Sequence, residues 1–405
     1  MKSRKVLLPE GVQDLLIGDC IYRRHIEDKL MKSFVQSGYM EISSPTLEYY
    51  DLFSGDYLSS NGDKMFKLID TNGQILVLRP DGTIPIVRMV STKMKDFVYP
   101  LKLCYIENVF RIDEEQADKK REFRQAGVEI FGIPSYRGDG ELIITAIETL
   151  KDLGLENFQV DVGQVKLLRG ILEELDISWE EKEVIRENIG NKNFIEIDRL
   201  VDELSINKDI KKVLKALPRL FGEAKEVLDE VRTLPLSTYM LEAVEELEKV
   251  WQMVRDYGLG EYISLDLGMV TTMKYYSGII FKGFTRDLGV ILLSGGRYDD
   301  LVKDFGMTCP ATGFVFIVNK ITKALKIQGR LKPERKKHIL LLQEGEGLWN
   351  RAILENLRSQ GHIVEICLLE NREEILEYID RRKVDEVLRI NKEGKLETVG
   401  DLGRL

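Results

Sequence analysis

The sequence is poor in the residues from which metal sites and redox centres are built. Its 405 residues include only 4 cysteines and 3 histidines. Cys20, Cys104, Cys309 and Cys367 are scattered among apolar residues, without the CxxC or Cys/His spacing of a zinc site. The pattern therefore predicts free, buried thiols, and neither a metal nor a cofactor is expected.

Long apolar runs are also missing. No segment approaches the roughly 18 apolar residues of a membrane span, and the opening MKSRKVLLPEG lacks the apolar core of a signal peptide. With 43% apolar and 31% charged residues, the composition is typical of a globular protein with two or three domains. We expect a cytoplasmic protein with no membrane partner.

Positive charge is in deficit. Asp and Glu number 68 against 59 Lys and Arg, which gives a formal net charge of -9. A broad nucleic-acid-binding surface usually carries the opposite sign, because it must neutralise phosphates. No nucleic-acid partner is therefore expected, although a local basic groove is compatible with an acidic total.

Short motifs that define an enzyme class are absent as well. The sequence has no Walker phosphate loop, no GxGxxG after a predicted strand, no HExxH and no GxSxG. Familiar catalytic motifs therefore indicate no enzyme class.

The most informative pattern lies between Leu101 and Gly132, which predicts two antiparallel strands joined by a charged loop. Period-two alternation places five polar side chains in one phase: Glu107, Arg111, Arg121, Gln125 and Glu129. Such a face could bind an amino acid, since Arg pairs with a carboxylate while Gln and Glu accept from an ammonium group or an imidazole N–H. From the pattern alone, however, a solvated face of an antiparallel sheet is the favoured interpretation.

A second candidate is Asp81 in LRPDGT. The turn Pro80–Thr83 directly follows a predicted hairpin and predicts the N-cap of a helix, which places Asp81 at the edge of the sheet. By itself, a capping or turn-forming carboxylate explains this residue.

Hydrophobic periodicity predicts an α+β protein made of a core over residues 1–327, a helical insertion at about 165–257 and a small C-terminal α/β domain over 338–405. A charged linker, QGRLKPERKK, separates the core from the C-terminal domain. The predicted core elements are helices at Cys20–Ser37, Thr83–Lys95 and Gly140–Leu153, a hairpin of Met65–Ile69 with Gln74–Leu78, strands at Phe158–Val162, Tyr262–Leu267, Tyr275–Phe281 and Gly289–Leu293, a tight turn at Gly295–Asp299, and a strand passing into a helix over Thr312–Ile327. The C-terminal pattern predicts strands at His338–Leu342, His362–Leu368 and Glu386–Ile390 with helices at Leu348–Gln360 and Arg372–Arg382.

Five motifs in a fixed order carry a family resemblance. They are LPEGVQD, LRPDGT, FRID with KREFRQAGVEIFG, YYSGIIF, and GGRYDDLV followed by TGFVF. The set resembles histidyl-tRNA synthetase across roughly residues 5–325, and the helical insertion lies where that family carries one. The resemblance implies a class II aminoacyl-tRNA synthetase-like antiparallel sheet core.

The resemblance also implies a histidine pocket. Its residues would be Asp81 toward the α-amino group, Arg111, Arg121 and Gln125 holding the substrate, Glu129 at the imidazole, and Tyr275 and Tyr276 closing the pocket.

The residues that act on ATP in that family differ here. An arginine and an aspartate before the tyrosine pair correspond to the run Thr271–Lys274, and an arginine of the third motif is matched only by Lys320. A family arginine in GRYREF is also lost from the run Asp118–Phe123. Lysine cannot reproduce a planar guanidinium fork. With these losses the chain resembles the ATP phosphoribosyltransferase regulatory subunits, a synthetase-like family that binds histidine without charging tRNA.

Three hypotheses follow. The first is a non-catalytic subunit that activates a short-form ATP phosphoribosyltransferase catalytic subunit and transmits feedback inhibition by L-histidine. The resemblance implies a hetero-octamer that contains a homodimer of this chain. The second is an active histidine–tRNA ligase, and the third is a histidine sensor for an unrelated partner.

Overall fold

The computed structural model describes residues 7–54, 64–112, 120–271, 275–333, 336–343 and 351–399. These residues form two compact units, of which the first ends at Leu331 and the second begins at Lys332. In the part of the chain that the structure describes, no helix is both long and apolar enough to cross a membrane. All four cysteines are free; Cys104 and Cys309 are buried as predicted, whereas Cys20 and Cys367 are half-buried.

The first part of the larger unit alternates helices with short and long strands. Its elements are α1 (Ile17–Gln36), β1 (Met40–Glu41), β2 (Leu47–Tyr49), β3 (Lys67–Ile69), β4 (Ile75–Leu78), α2 (Thr83–Lys93), β5 (Leu101–Phe110), β6 (Glu122–Phe131), α3 (Tyr136–Asp152) and β7 (Phe158–Gln164). The predicted hairpin is confirmed, because β3 and β4 pair antiparallel across the turn that contains Gly73. Gly73 has a φ of 79°, a conformation that glycine adopts without strain.

A run of helices follows β7, where Leu-, Glu- and Lys-rich periodicity predicts them. It comprises α4 (Val165–Glu173), α5 (Trp179–Gly190), α6 (Phe194–Glu203), α7 (Lys208–Ala216), the short strand β8 (Phe221–Gly222), α8 (Ala224–Val231) and α9 (Thr238–Asp256). Ser178 caps α5 with a capping box: its hydroxyl oxygen accepts from the backbone N–H of Glu181, and the Glu181 carboxylate accepts from the backbone N–H of Ser178. The apolar faces of these helices join the main hydrophobic core.

The chain then returns to the sheet. The elements are β9 (Ile263–Asp266), β10 (Ile279–Thr285), β11 (Ile291–Arg297), α10 (Asp299–Asp304), β12 (Ala311–Ile317) and α11 (Val318–Ile327). The predicted tight turn at Gly295–Asp299 is wrong over its first three residues, which lie in β11 and pair with β12. Gly295 lies so close to the backbone of Phe314 that a Cβ would overlap it, which explains a glycine within a strand.

The larger sheet supports the site. Among the described residues its strand order is β1-β5-β6-β12-β11-β10-β7-β9-β8, and most neighbours are antiparallel. Alternate residues of β6 enter two different cores. Ala126, Val128 and Ile130 pack with α1 and α3 in the first core, whereas Phe131 packs with α2 and with Tyr298 in the second.

The second unit is a small sheet with helices. It consists of β13 (His338–Gln343), α12 (Arg351–Ser359), β14 (Ile363–Ile366), α13 (Arg372–Arg382), β15 (Glu386–Ile390) and β16 (Leu396–Thr398). β13 pairs parallel with both β14 and β15, so the mostly parallel arrangement is confirmed, and β16 adds an antiparallel edge. The predicted start of the first helix, at Leu348, lies outside the described residues.

Candidate functional site

The two strands predicted from the central pattern pair antiparallel in the expected positions. Glu107 of β5 lies opposite Gln125 of β6, and Leu103 lies opposite Glu129. The shared face is not solvated, because the side chains of Glu107 and Gln125 are almost fully buried and Glu129 is 0% exposed. The solvated-face interpretation is therefore wrong, and polar side chains at such depth require internal partners.

A cavity of about 320 Å3 opens over this face. Five of the seven histidine-site candidates line it: Asp81, Arg111, Gln125, Tyr275 and Tyr276. They come from the turn before α2, the end of β5, the middle of β6 and the segment before β10. The sheet therefore brings together residues that are separated by almost 200 positions in the chain.

Asp81 and Arg111 form one polar edge of the cavity. Arg111 Nε donates to the carbonyl oxygen of Pro80 at 2.5 Å, and its Nη2 lies 3.5 Å from Asp81 Oδ2. Asp81 Oδ1 accepts from the backbone N–H of Ile84 at 3.0 Å, in the first turn of α2. Asp81 thus satisfies the helix terminus with one oxygen and faces Arg111 with the other, so capping leaves its second oxygen on the cavity side.

Gln125 presents an unsatisfied acceptor. Its side chain is 3% exposed and lines the cavity. Within the described residues, Oε1 of Gln125 has no hydrogen-bond partner. A buried carbonyl oxygen without a donor costs about 1–3 kcal/mol, so this oxygen offers an acceptor to a molecule in the cavity that donates a hydrogen bond.

Glu129 lies beneath the cavity rather than on its wall. It accepts hydrogen bonds from Thr83 Oγ1 at 2.9 Å and from the hydroxyl groups of Tyr298 and Tyr105. Burial raises the pKa of Glu129 to about 8, against the lowering effect of the donors Tyr298 and Thr83. Thr83 and Tyr298 do line the cavity, so they connect Glu129 to a ligand placed there.

The tyrosine pair forms a further part of the cavity wall. The ring centroids of Tyr275 and Tyr276 lie 4.8 Å apart with the planes tilted by 50°, and Tyr298 meets Tyr275 edge to face at 6.0 Å. Burial raises the pKa of both Tyr275 and Tyr276, so both hydroxyl groups remain neutral donors at physiological pH. The wall suits a planar ring with polar edges.

Arg121 lies apart from the lining. Its backbone N–H donates to the carbonyl oxygen of Gly11 at 2.8 Å, and Nη2 lies 3.5 Å from Glu10 Oε2. Both partners belong to LPEGVQD, whose Gln13 lines the cavity. The structure therefore places Arg121 where it fixes this segment against the sheet.

Sequence reasoning assigned no role to Arg297 and Tyr298, although both stand in the quoted motif GGRYDDLV. Arg297 Nη2 lies 2.8 Å from Asp139 Oδ2 in α3, and both side chains are at most 5% exposed. Burial raises the pKa of Asp139 to about 6, although Arg297 opposes that shift. Tyr298 follows directly in the sequence and donates a hydrogen bond to Glu129. The sequence signal that could have identified both residues is an Arg-Tyr pair at the end of a predicted strand.

The cavity wall is cationic although the chain is acidic. Among the described residues, six Lys or Arg and two Asp line it, for a formal wall charge of +4: Arg23, Arg111, Lys120, Lys320, Lys323 and Lys326 against Asp19 and Asp81. The cavity therefore favours a ligand that carries negative charge as well as donors. Thr271 lies outside this lining, and residues 272–274 fall outside the described part of the chain.

The described residues contain no group of three or more His, Cys, Asp or Glu side chains placed to hold a metal ion.

Comparison with known proteins defines the class. The sequence model of a family described as Histidyl-tRNA synthetase matches residues 11–321. The structure of histidyl-tRNA synthetase from Nostoc sp. PCC 7120 covers 97% of this chain and 96% of its own, with a TM-score of 0.78 at 19% identity. The chain has the class II synthetase-like fold of histidyl-tRNA synthetases, and the fold prediction is confirmed.

Closer relatives define the family. A protein of Alkaliphilus metalliredigens named ATP phosphoribosyltransferase regulatory subunit is 52% identical over 394 residues, covering 97% of this chain and 100% of the relative. A protein of the same name from Acetivibrio thermocellus is 44% identical, covering 90% of this chain and 88% of its own. A Bacillus halodurans structure described as ATP phosphoribosyltransferase regulatory subunit/histidyl-tRNA synthetase has a TM-score of 0.84 at 29% identity, covering 96% of this chain and 99% of its own. The chain belongs to the family of ATP phosphoribosyltransferase regulatory subunits.

Proposed function

We propose that this chain is a regulatory subunit of ATP phosphoribosyltransferase and acts in histidine biosynthesis with a separate catalytic subunit. The 52% identity to a protein of that name, over nearly the whole of both chains, supports the role. The proposal includes a short-form catalytic partner, a hetero-octameric complex and a homodimer of this chain within it. The chain itself carries no catalytic residue for the transfer.

The cavity is proposed to bind L-histidine. The observation that carries this assignment is the unpartnered Oε1 of Gln125, which lies on the same cavity wall as Asp81 and Arg111. An α-ammonium group would donate to Gln125 and Asp81, and the carboxylate would pair with Arg111. Together these groups match both charges of a free amino acid.

The imidazole would lie against the tyrosine wall. Tyr275 and Tyr298 supply hydroxyl groups and ring faces, and Glu129 stabilises the position of Tyr298 from below. Arg121 would act through the segment that contains Gln13 rather than by touching histidine.

Histidine activation by ATP is expected to be weak in this chain. The family resemblance matches Thr271 and Lys320 to positions at which the synthetases carry arginines. Loss of one preorganised donor typically costs about 100- to 1,000-fold in rate, because charge that develops on the phosphate is left unstabilised. A site that keeps its amino-acid contacts and loses these donors suits sensing rather than adenylate formation.

Feedback through this site has a thermodynamic requirement. Histidine must bind the active and inhibited states of the complex with different affinity, since a ligand of equal affinity shifts no equilibrium. The cavity provides the contacts to histidine. The rate of phosphoribosyl transfer by the catalytic subunit would show which of the two states is populated.

One experiment tests the proposal against its rivals. The purified chain is mixed with a short-form catalytic subunit, and formation of phosphoribosyl-ATP is measured with and without histidine, alongside histidine-dependent ATP–pyrophosphate exchange. We expect activation of the catalytic subunit, inhibition by histidine and no exchange. Robust exchange would instead identify an active histidine–tRNA ligase, and histidine binding without effect on the transferase would identify a sensor for another partner.

A further inference from the structure

Two arginines of the helical run reach the segment that carries the tyrosine pair. Arg169 of α4 donates through Nη2 to the carbonyl oxygen of Tyr276 at 2.9 Å. Arg186 of α5 donates through Nη1 to the carbonyl oxygen of Thr271 at 3.1 Å. The backbone on both sides of residues 272–274 is therefore hydrogen-bonded to helices that contribute nothing to the cavity lining within the described residues.

Each arginine is itself held by a carboxylate. Arg169 Nη1 lies 3.6 Å from Asp300 Oδ2 in α10, one residue beyond the first residue of that helix. Arg186 meets Glu183 with Nε at 3.0 Å and Nη2 at 2.7 Å. A planar guanidinium can bond a carboxylate and a carbonyl oxygen at once, so these contacts orient the fork toward the backbone.

Tyr276 lines two cavities. It lines the cavity of about 320 Å3 described above, which is the larger of the two. It also lines a second cavity of about 240 Å3 between α4, α5 and residues 269–271, whose lining includes Arg169 and Arg186. The apolar part of this second cavity comes from side chains such as Leu168 and Met269. The position of one tyrosine therefore shapes both spaces.

We propose that Arg169 is a positioning residue for the histidine site: by holding the carbonyl group of Tyr276 between α4 and α10, it sets the tyrosine wall and couples the helical run to ligand binding. The proposal rests on the proposed function only in naming histidine as the ligand. Arg169 contacts the tyrosine wall through the backbone carbonyl oxygen of Tyr276 and is not among the described residues that line the larger cavity.

The test compares Arg169→Ala and Arg169→Lys with the control Arg199→Ala. Arg199 lies in α6, in the same helical run, and pairs only with neighbouring carboxylates of its own helix in the described contacts. Hydrogen exchange of peptides covering residues 275–279 is measured without ligand, and the histidine Kd is measured by calorimetry.

We expect Arg169→Ala to accelerate exchange at residues 275–279 and to raise the histidine Kd by about tenfold, the effect of losing one hydrogen bond. Arg169→Lys should give intermediate values, because one ammonium group can reach Tyr276 or Asp300 but not both in the same geometry. Arg199→Ala should leave both quantities unchanged.

Unchanged exchange and unchanged Kd in a folded Arg169→Ala protein would overturn the proposal. If Arg169→Ala does not fold, Arg169→Lys decides by the same two measurements. Should the wild-type chain bind no histidine, the ligand assignment fails, and the exchange measurement without ligand still decides whether Arg169 holds the wall.

Discussion

Gly313 shows how one missing side chain makes room for a buried carboxyl group. It lies on β12 opposite Glu129 of β6, and a Cβ at this position would overlap Glu129 Oε2. The same glycine lines the cavity, so the backbone of β12 approaches the ligand space closely. The buried position of Glu129 therefore requires glycine at position 313.

Gln125 is the residue whose replacement should affect ligand binding most selectively. Gln125→Leu keeps the volume but removes the acceptor, so we expect the histidine Kd to rise about 10- to 100-fold, as for a hydrogen bond to a charged group. Calorimetry on the isolated chain measures the change. Gln74→Leu, an exposed position in the hairpin turn, is the matched control. Equal histidine affinity in both variants would exclude Gln125 from the binding site.

Glu129 should make stability depend on pH. Its pKa is raised to about 8 from an ordinary value of 4.5, so the folded state retains a proton that the unfolded state releases. The free energy of unfolding should therefore fall as the pH rises through this window, by at most about 1.4 kcal/mol per pH unit. The slope should be largely lost in Glu129→Gln.

Urea unfolding of both proteins at pH 6, 7 and 8 measures that slope. Asp139, whose pKa is raised to about 6, contributes below this range and is present in both proteins. Parallel pH profiles for wild type and variant would show that Glu129 titrates normally.

At the scale of elements, a buried ion pair fixes the entry into α2. Arg79 Nη1 lies 2.7 Å from Glu107 Oε2 in β5 and 2.7 Å from the carbonyl oxygen of Ser44, and its Nε donates to the carbonyl oxygen of Asn108 at 2.8 Å. Asp81 follows two residues later. The end of β4 and the start of α2 are therefore attached to β5 at the edge of the cavity.

Breaking this pair should be costly. Arg79→Met leaves Glu107 buried without its cationic partner, for which we expect a loss of about 3–5 kcal/mol in the free energy of unfolding. The exposed pair of Arg199 with Glu203 is the control, and Arg199→Ala should leave the free energy of unfolding almost unchanged. Denaturant titration compares them. Arg79→Met with Glu107→Leu should recover part of the loss, and a double variant no more stable than Arg79→Met would contradict this explanation.

Elements with a strong local signal could be predicted from the sequence. Helix α13 occupies the predicted residues, since Asn371 caps it and Glu373 follows in the first turn. The alternation predicts strands at Leu101–Arg111 and Arg121–Gly132, and β5 and β6 differ from these bounds by at most one residue at each end, because period-two alternation is uninterrupted there.

Elements that depend on distant contacts were mispredicted at their ends. Helix α3 begins four residues before the predicted Gly140, since its glycine-containing first turn is held by the buried pair of Asp139 with Arg297. Strand β10 begins at Ile279 rather than Tyr275, because Tyr275 and Tyr276 belong to the cavity wall.

The sequence predicted which residues belong to the candidate site better than it predicted how deeply they are buried. Motif order named five of the residues that line the cavity, but the alternation in β6 cannot tell which face is covered. The burial of Glu129 follows from Tyr298 and Thr83, which the chain brings from two distant segments.

At the scale of the whole molecule, the lining of the larger cavity comes entirely from the first compact unit among the described residues. Histidine should therefore stabilise that unit, by about 2.7 kcal/mol at a concentration 100 times its Kd. Hydrogen exchange under mildly denaturing conditions measures both units in one sample. Protection should rise before Leu331 and stay constant beyond it, and an equal rise in both units would contradict this assignment.

Because Tyr276 belongs to two cavities, reciprocity applies to it. A partner or ligand that engages α4 and alters the bond from Arg169 to Tyr276 would change histidine affinity by some factor, and histidine must then change the affinity for that partner by the same factor. Through the carbonyl group of Tyr276, binding at α4 and binding in the histidine cavity would thus each alter the affinity of the other.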